Sequence, residues 1–306
     1  MEETAGLRQG SITYHIEEEI TVRDLPEGGH LVEIWIPVPQ SDGNQQILEV
    51  TAESDTDLSL HFDREWGNGL LHGRLPSARG FRGTFIFQVE RRTVSVKSDP
   101  AQARPLSGAS GLYRRSLMPE LHVRVDEKTR GQARQLVGAE RNPLNQARIF
   151  YDHVTDYMAY DAEKQSWTGS TDHALVCQVG NCNDIHALYI SLCRSAGIPA
   201  RLVMGFALEG DDQCDICGYH CWAEIYIAGL GWLPVDASCA CKYGHAGFGT
   251  LDRNHIAFSR GRDLLLEPPQ KGDRLLFFPS AYAEVDGTPC AGVERRLRFN
   301  PVVVAG

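Results

Sequence analysis

Gly180-Asn181-Cys182-Asn183-Asp184-Ile185-His186-Ala187-Leu188-Tyr189-Ile190-Ser191-Leu192-Cys193-Arg194-Ser195-Ala196-Gly197-Ile198-Pro199 carries more structural information than any other run in this 306-residue chain. Ile185, Leu188, Tyr189, Leu192, Cys193 and Ala196 recur at three- and four-residue spacing, which predicts a deeply packed helix from about Cys182 to Ala196. Gly197-Ile198-Pro199 ends it. Asn181 is a good N-cap, and Gly180 allows a tight approach before it. A thiol at position 182 then faces backbone N–H groups and the positive end of the helix dipole, both of which favour a thiolate. The same N–H groups suit a developing oxyanion. Cys193, in the middle of the apolar stripe, reads instead as a small buried apolar residue.

Downstream, Arg201 to Leu208 reads as a strand, and Tyr219 to Ile227 and Trp232 to Ser238 as a hairpin closed through Ala228-Gly229-Leu230-Gly231. His220 opens His220-Cys221-Trp222-Ala223-Glu224, and Asp236 ends Trp232-Leu233-Pro234-Val235-Asp236. Strand alternation puts His220, Trp222 and Glu224 on one face. Asp236 joins that face only if opposed residue numbers have an even sum, as with a three-residue loop at 228–230. A lone strand histidine is usually structural and a lone aspartate after a strand usually forms a turn. Their spacing relative to Cys182 argues for the nucleophile, base and orienting acid of covalent catalysis. Leu264-Leu265-Leu266 and Leu275-Leu276-Phe277-Phe278 are expected to extend the same sheet.

Upstream, residues 11 to 96 show short β-branched or alternating segments between turn residues, including Leu31-Val32-Glu33-Ile34-Trp35-Ile36 and Gly83-Thr84-Phe85-Ile86-Phe87. They predict an antiparallel sheet or sandwich without a chemical cluster of its own. Residues 98–119, rich in Pro, Gly, Ser and Ala, read as a linker. Asp126 caps a helix over 127–137, and Asn142-Pro143 opens another with Leu144, Ala147, Phe150, Tyr151, Val154 and Met158 on its buried face. The class is α+β, with a β domain over 1–105 and a catalytic domain over 106–306.

Lys and Arg number 30 against 40 Asp and Glu, a net charge of −10. That argues against nucleic-acid and anionic-membrane partners, which need a concentrated basic surface. No apolar run approaches the length of a membrane-spanning helix, and the acidic start Met1-Glu2-Glu3 is unlike an export signal. These features point to a cytoplasmic protein with reduced thiols. Cys214-Asp215-Ile216-Cys217 and Cys239-Ala240-Cys241 flank the hairpin strands. They read as reduced thiols on loops, with a structural zinc held by Cys214, Cys217, Cys239 and Cys241 as the alternative.

Gly180-x-Cys182, Leu192-Cys193-Arg194 through Ile198-Pro199-Ala200-Arg201, His220-x-Trp222-x-Glu224 and Gly231-Trp232-x-Pro234-x-Asp236, in this order, resemble the core of the transglutaminase-like superfamily. The resemblance reaches upstream to Phe150-Tyr151-Asp152 and Tyr160-Asp161. It implies a papain-like fold with Cys182 as nucleophile, His220 as base and then acid, and Asp236 as its orienter. It further implies a peptide or other amide as substrate, a thioester intermediate, and no cofactor or catalytic metal. Hydrolysis, in the manner of a cysteine protease or amidase, is favoured over acyl transfer to amines, and a non-catalytic, zinc-pinned binding protein is the reading from another class. Gln178 or Trp167 is the expected second oxyanion donor. His186, one turn after Cys182, reads as an exposed helical histidine, and Trp222 as packing over the His-Asp pair.

Overall fold

The structure is a computed structural model that describes residues 10–96, 98–106, 111–208, 214–216, 218–244 and 247–302, without the side chains of Ala78, Leu112, Cys214 and Ile216. The chain forms an all-β region first and a mixed helix and strand region after it. Two compact units divide it. One holds Met1–Thr93, Met204–His220 and Asp252–Gly306, and the other Val94–Val203 and Cys221–Leu251. The division is not linear in sequence, since residues 252–302 fall in the same unit as residues 10–93.

In the first unit the chain supplies β1 (Ser11–Val22), β2 (Leu31–Val38), β3 (Gln45–Ser54), β4 (Leu58–Phe62), β5 (Gly69–Pro76) and β6 (Phe81–Arg92). The second unit begins with β7 (Val94–Ser95), followed by α1 (Glu127–Val137), α2 (Pro143–Tyr157), β8 (Ala159–Tyr160), α3 (Thr171–Cys177), β9 (Val179–Gly180) and α4 (Cys182–Ser195). The chain then crosses between units within β10 (Ala200–Ala207), forms β11 (Cys214–Ile216), and crosses again at the start of β12 (His220–Ile227). It continues through β13 (Gly231–Val235), α5 (Ala237–Tyr243), β14 (Thr250–Leu251), β15 (His255–Arg260), β16 (Tyr282–Val285), β17 (Thr288–Pro289) and β18 (Val293–Val302).

Two five-stranded sheets, ordered β11-β18-β1-β6-β3 and β17-β16-β2-β5-β4, make the first unit a sandwich. Alternation decides its core. Tyr14, Ile16, Ile20 and Val22 of β1 meet Val32, Ile34 and Ile36 of β2 and Phe85, Phe87 and Val89 of β6 in one buried cluster. β18 runs antiparallel to β1 from Thr13↔Val302 to Val22↔Val293, so the sheet closes with a strand almost three hundred residues away.

Leu264, Leu266, Leu275 and Phe278 do not extend a sheet. They pack with Trp35 and Leu70 in a second cluster, joined only by an isolated bridge at Leu264↔Leu275. This explains why β2 is buried along nearly its whole length, one face on the sandwich core and the other under this cover.

In the second unit α4 packs against α1, α2, α3 and α5 and is buried at every position from Cys182 to Arg194. Asp126 caps α1 through a reciprocal pair with Thr129, and Asn142 caps α2 ahead of Pro143. The linker segment is partly tied down, since Arg104 N–H donates to Ala228 O at 2.8 Å. Residues 107–110 lie outside the described residues. Among the described residues no helix is long and apolar enough to cross a membrane.

Candidate functional site

Cys182 is the first residue of α4 and 4% exposed. Asn181 caps the helix, its Oδ1 accepting the Asn183 N–H at 2.9 Å and the Asp184 N–H at 3.4 Å. Those two donors are therefore committed to the cap. Any oxyanion contact from this helix start falls to the Cys182 N–H.

The Gly-x-Cys-x-Asp spacing has a packing cause. A Cβ on Gly180 would lie 2.6 Å from Asp184 Oδ2, so the absent side chain makes room for a carboxylate that is fully buried. Asp184 in turn accepts the Ser166 N–H at 3.0 Å, the Ser170 N–H at 2.9 Å and the Ser166 hydroxyl. The residues on either side of Cys182 thus anchor the 165–170 loop, with Asn181 Nδ2 donating to Gln165 Oε1 at 2.6 Å.

Asp236 follows β13, is 2% exposed and caps α5. Its Oδ1 accepts the Ser238 hydroxyl at 2.7 Å and the Cys239 N–H at 2.9 Å. Its own N–H donates to Gly247 O at 2.7 Å, and the Gly247 N–H donates to the Tyr151 hydroxyl at 2.9 Å. A Cβ on Gly247 would stand 2.1 Å from Asp236 O, so only glycine permits this approach. β12 pairs with β13 from Ala223↔Val235 to Ile227↔Gly231, an even sum. The register condition for Asp236 to share the Trp222 face is met, with 228–230 as the three-residue loop. Trp222 is buried.

His220 is the first residue of β12 and partly exposed. Within its unit its ring meets that of His255 edge-on, with centroids 5.3 Å apart. His255 is 6% exposed, and its carbonyl accepts the Arg91 Nε–H at 2.5 Å, which fixes its backbone. Sequence reasoning missed His255. Asp252-Arg253-Asn254-His255 has no periodicity that marks it.

His186 corrects an expectation, since it is fully buried rather than exposed. On this side of α4 the ring meets the start of α5 and Cys221 of β12. The Ala237 N–H donates to His186 Nε2 at 3.1 Å, so this nitrogen carries no proton and Nδ1 does. Nδ1 lies 3.8 Å from Cys221 Sγ, which donates to Asn183 Oδ1 at 3.2 Å. His186 Nε2 is also 3.7 Å from Asp236 Oδ1. A buried polar chain therefore joins the start of α4 to the start of α5.

The remaining motif residues are structural. Arg194 donates to Ala200 O at 2.9 Å and Met118 O at 2.7 Å and pairs with the buried Glu120 at 3.1 Å. Arg201 pairs with Glu224 at 2.6 Å and lies over the Trp232 ring at 3.9 Å. Burial pushes the Cys193 thiol up to about 12, in keeping with an inert packed residue.

Of the cysteines considered for zinc, Cys217 and the side chain of Cys214 lie outside the described residues. Cys239 and Cys241 sit on α5, not on a loop following a strand that runs to Ser238, because Asp236 caps a helix there. Burial pushes the Cys241 thiol up to about 11. None of the seven described cysteines is in a disulfide. Gln178 is exposed and holds a left-handed backbone at the end of α3, and Trp167 is 77% exposed.

Residues 130–237 match the transglutaminase-like superfamily. An uncharacterized protein of Haemophilus influenzae is 24% identical over 331 residues, covering 90% of this chain and 87% of its own. A structure from Cytophaga hutchinsonii, described as a candidate cysteine protease, superposes with a TM-score of 0.66 at 15% identity, over 97% of this chain and 93% of that one. The periplasmic domain of TgpA from Pseudomonas aeruginosa gives a TM-score of 0.36 at 16% identity, over 76% of this chain and 91% of that one. That domain is periplasmic, so the cytoplasmic expectation is withdrawn. The likeness is too low to assign this chain to a compartment in its turn. The match over 130–237 gives that stretch a transglutaminase-like core, and the superposition over nearly the whole chain shows a fold shared with the Cytophaga hutchinsonii structure.

Proposed function

We propose that this protein is a cysteine-dependent amide hydrolase or peptidase working through Cys182, His220 and Asp236. The observation that carries the reading is Cys182 at the first position of α4, where the helix N-terminus stabilises a thiolate. The even register of the β12–β13 hairpin supports it further.

In this mechanism His220 takes the Cys182 proton as Sγ adds to the amide carbonyl. The oxyanion is met by the Cys182 N–H and a second donor. Collapse expels the amine, which leaves with the proton from His220, and an acyl thioester remains on Sγ. His220 then deprotonates water, whose attack releases the acid and restores the thiol. Asp236 holds the His220 ring in one tautomer throughout.

A thiol-alkylating probe at neutral pH tests the reading. Cys182 should label fastest, and its rate should fall about a hundredfold in His220→Ala. Labelling spread over Cys177, Cys239 and Cys290, with no dependence on His220, would sink the catalytic assignment. Product analysis of a glutaminyl peptide with and without added amine separates hydrolysis from acyl transfer.

A further inference from the structure

Trp167 is an unusual residue in an unusual place. The residue is 77% exposed, and its backbone holds φ at 63°, a left-handed conformation that bulky side chains rarely adopt. Single exposed apolar residues are common and call for no explanation by themselves. Here the backbone around one is held in a strained form by specific bonds, and strain of this kind concentrates at functional sites.

The bonds are those of the Asp184 anchor. Gln165 is bound by Asn181, Ser166 by Asp184 through both N–H and hydroxyl, the Thr168 N–H donates to Ser166 Oγ at 3.3 Å, and Ser170 returns to Asp184. Trp167 stands between tethered neighbours. Asn181 immediately precedes Cys182, and Asp184 follows it by two residues. Ser166 bonds Asp184, and Trp167 is the next residue, its Cα about 3.8 Å from that of Ser166. The loop that carries this exposed apolar residue is thus bonded to the residue before Cys182 and to the one two positions after it. An oxyanion donor needs a water-excluded position, and this exposure speaks against that role.

We infer that Trp167 is a substrate platform that selects acyl donors carrying a large apolar side chain, aromatic or branched aliphatic, next to the reacting carboxamide residue. The inference rests on the amide-cleaving reading given above and names the substrate class for it.

Binding and turnover are measured separately, so that the two ideas fail independently. In the Cys182→Ala protein, fluorescently labelled peptides of the form X-Gln-Gly, with X as Phe, Leu, Ala or Asp, are titrated by anisotropy. Phe and Leu peptides should bind about tenfold more tightly than the Ala peptide, the equivalent of about 1.4 kcal/mol. In Cys182→Ala/Trp167→Ala that preference should fall below about twofold, and Trp167→Phe should restore most of it. With the active enzyme, the loss in Trp167→Ala on the Phe peptide should fall on KM rather than kcat. Trp167→Gly, which removes the left-handed strain, should unfold at the same or higher urea concentration while losing the preference.

Equal binding of all four peptides, no detectable binding, or a preference that survives Trp167→Ala would overturn the platform. So would a fall in kcat common to every peptide, the mark of an oxyanion donor. Selective binding without turnover by the native enzyme would keep the platform and refute the amide-cleaving reading; turnover without selectivity would do the reverse.

Discussion

His186 shows how much a single buried side chain organises here. Its Nε2 is the acceptor for the Ala237 N–H, and a histidine protonated at that nitrogen would set two donors against each other. Glutamine places an acceptor at nearly the same reach, whereas leucine places none. His186→Leu should therefore lose about 1–3 kcal/mol in urea unfolding, the cost of a buried N–H left without a partner, while His186→Gln should lose less than about 1 kcal/mol. Equal destabilisation by both would show that ring packing, not the acceptor, is what matters. Gly180 is the converse case, important for what it lacks. Gly180→Ala drives a Cβ to 2.6 Å from the Asp184 carboxylate and should cost about 1–3 kcal/mol, with the 165–170 loop gaining proteolytic sensitivity.

At the scale of elements, Asp236 sits at a junction, the residue after β13 and the cap of α5. Those duties separate by chemistry. Asparagine keeps an oxygen for the Ser238 hydroxyl and the Cys239 N–H but carries no charge. Asp236→Asn should unfold within a few tenths of a kcal/mol of the native protein, and Asp236→Ala about 1 kcal/mol earlier. Both should lose activity by at least about a hundredfold if the charge orients His220. Activity retained in Asp236→Asn would remove Asp236 from the proposed mechanism and leave it as a helix cap. The stability ranking would stand in that case, because it depends on hydrogen bonding alone.

For the molecule as a whole, the balance of titrating groups sets a pH window. Glu18 points into the sandwich core beside Ile16 and Ile20, fully buried, with no hydrogen-bond partner on either carboxyl oxygen among the described residues. Burial pushes it up to about 8, against a smaller opposing pull from Arg295. Its folded-state value lies above the unfolded one, so its contribution is fully present below about pH 4.5 and is lost as pH rises through 8. The loss is on the order of 5 kcal/mol at about 1.4 kcal/mol per pH unit. Glu18→Gln should gain on the native protein steadily from pH 5 to 8 and level off above, as read from urea midpoints. A constant difference across that range would mean that Glu18 is already ionised when folded. Exposed carboxylates act with the opposite sign. The Thr129 N–H lowers Asp126, the Asn142 N–H lowers Glu140 and the His30 ring lowers Asp286, so their contributions hold above the ordinary carboxylate range and fade in acid.

Local order was legible along the chain wherever neighbours in sequence supply the physics. The Asp126 and Asn142 caps, the buried face of α2, the start and end of α4 and the three-residue hairpin loop all follow from spacing, capping and turn chemistry over a few residues. Long-range packing set the remainder. Nothing near Leu264 or Phe278 says that they will cover Trp35 instead of joining a sheet, and nothing in 293–302 says that it pairs with β1. Periodicity left His186 on a polar side that the start of α5 and Cys221 meet, and it left His255 unmarked beside His220. A residue's own sequence encodes which face it presents, but which element comes to cover that face depends on how distant segments share the burial of apolar surface.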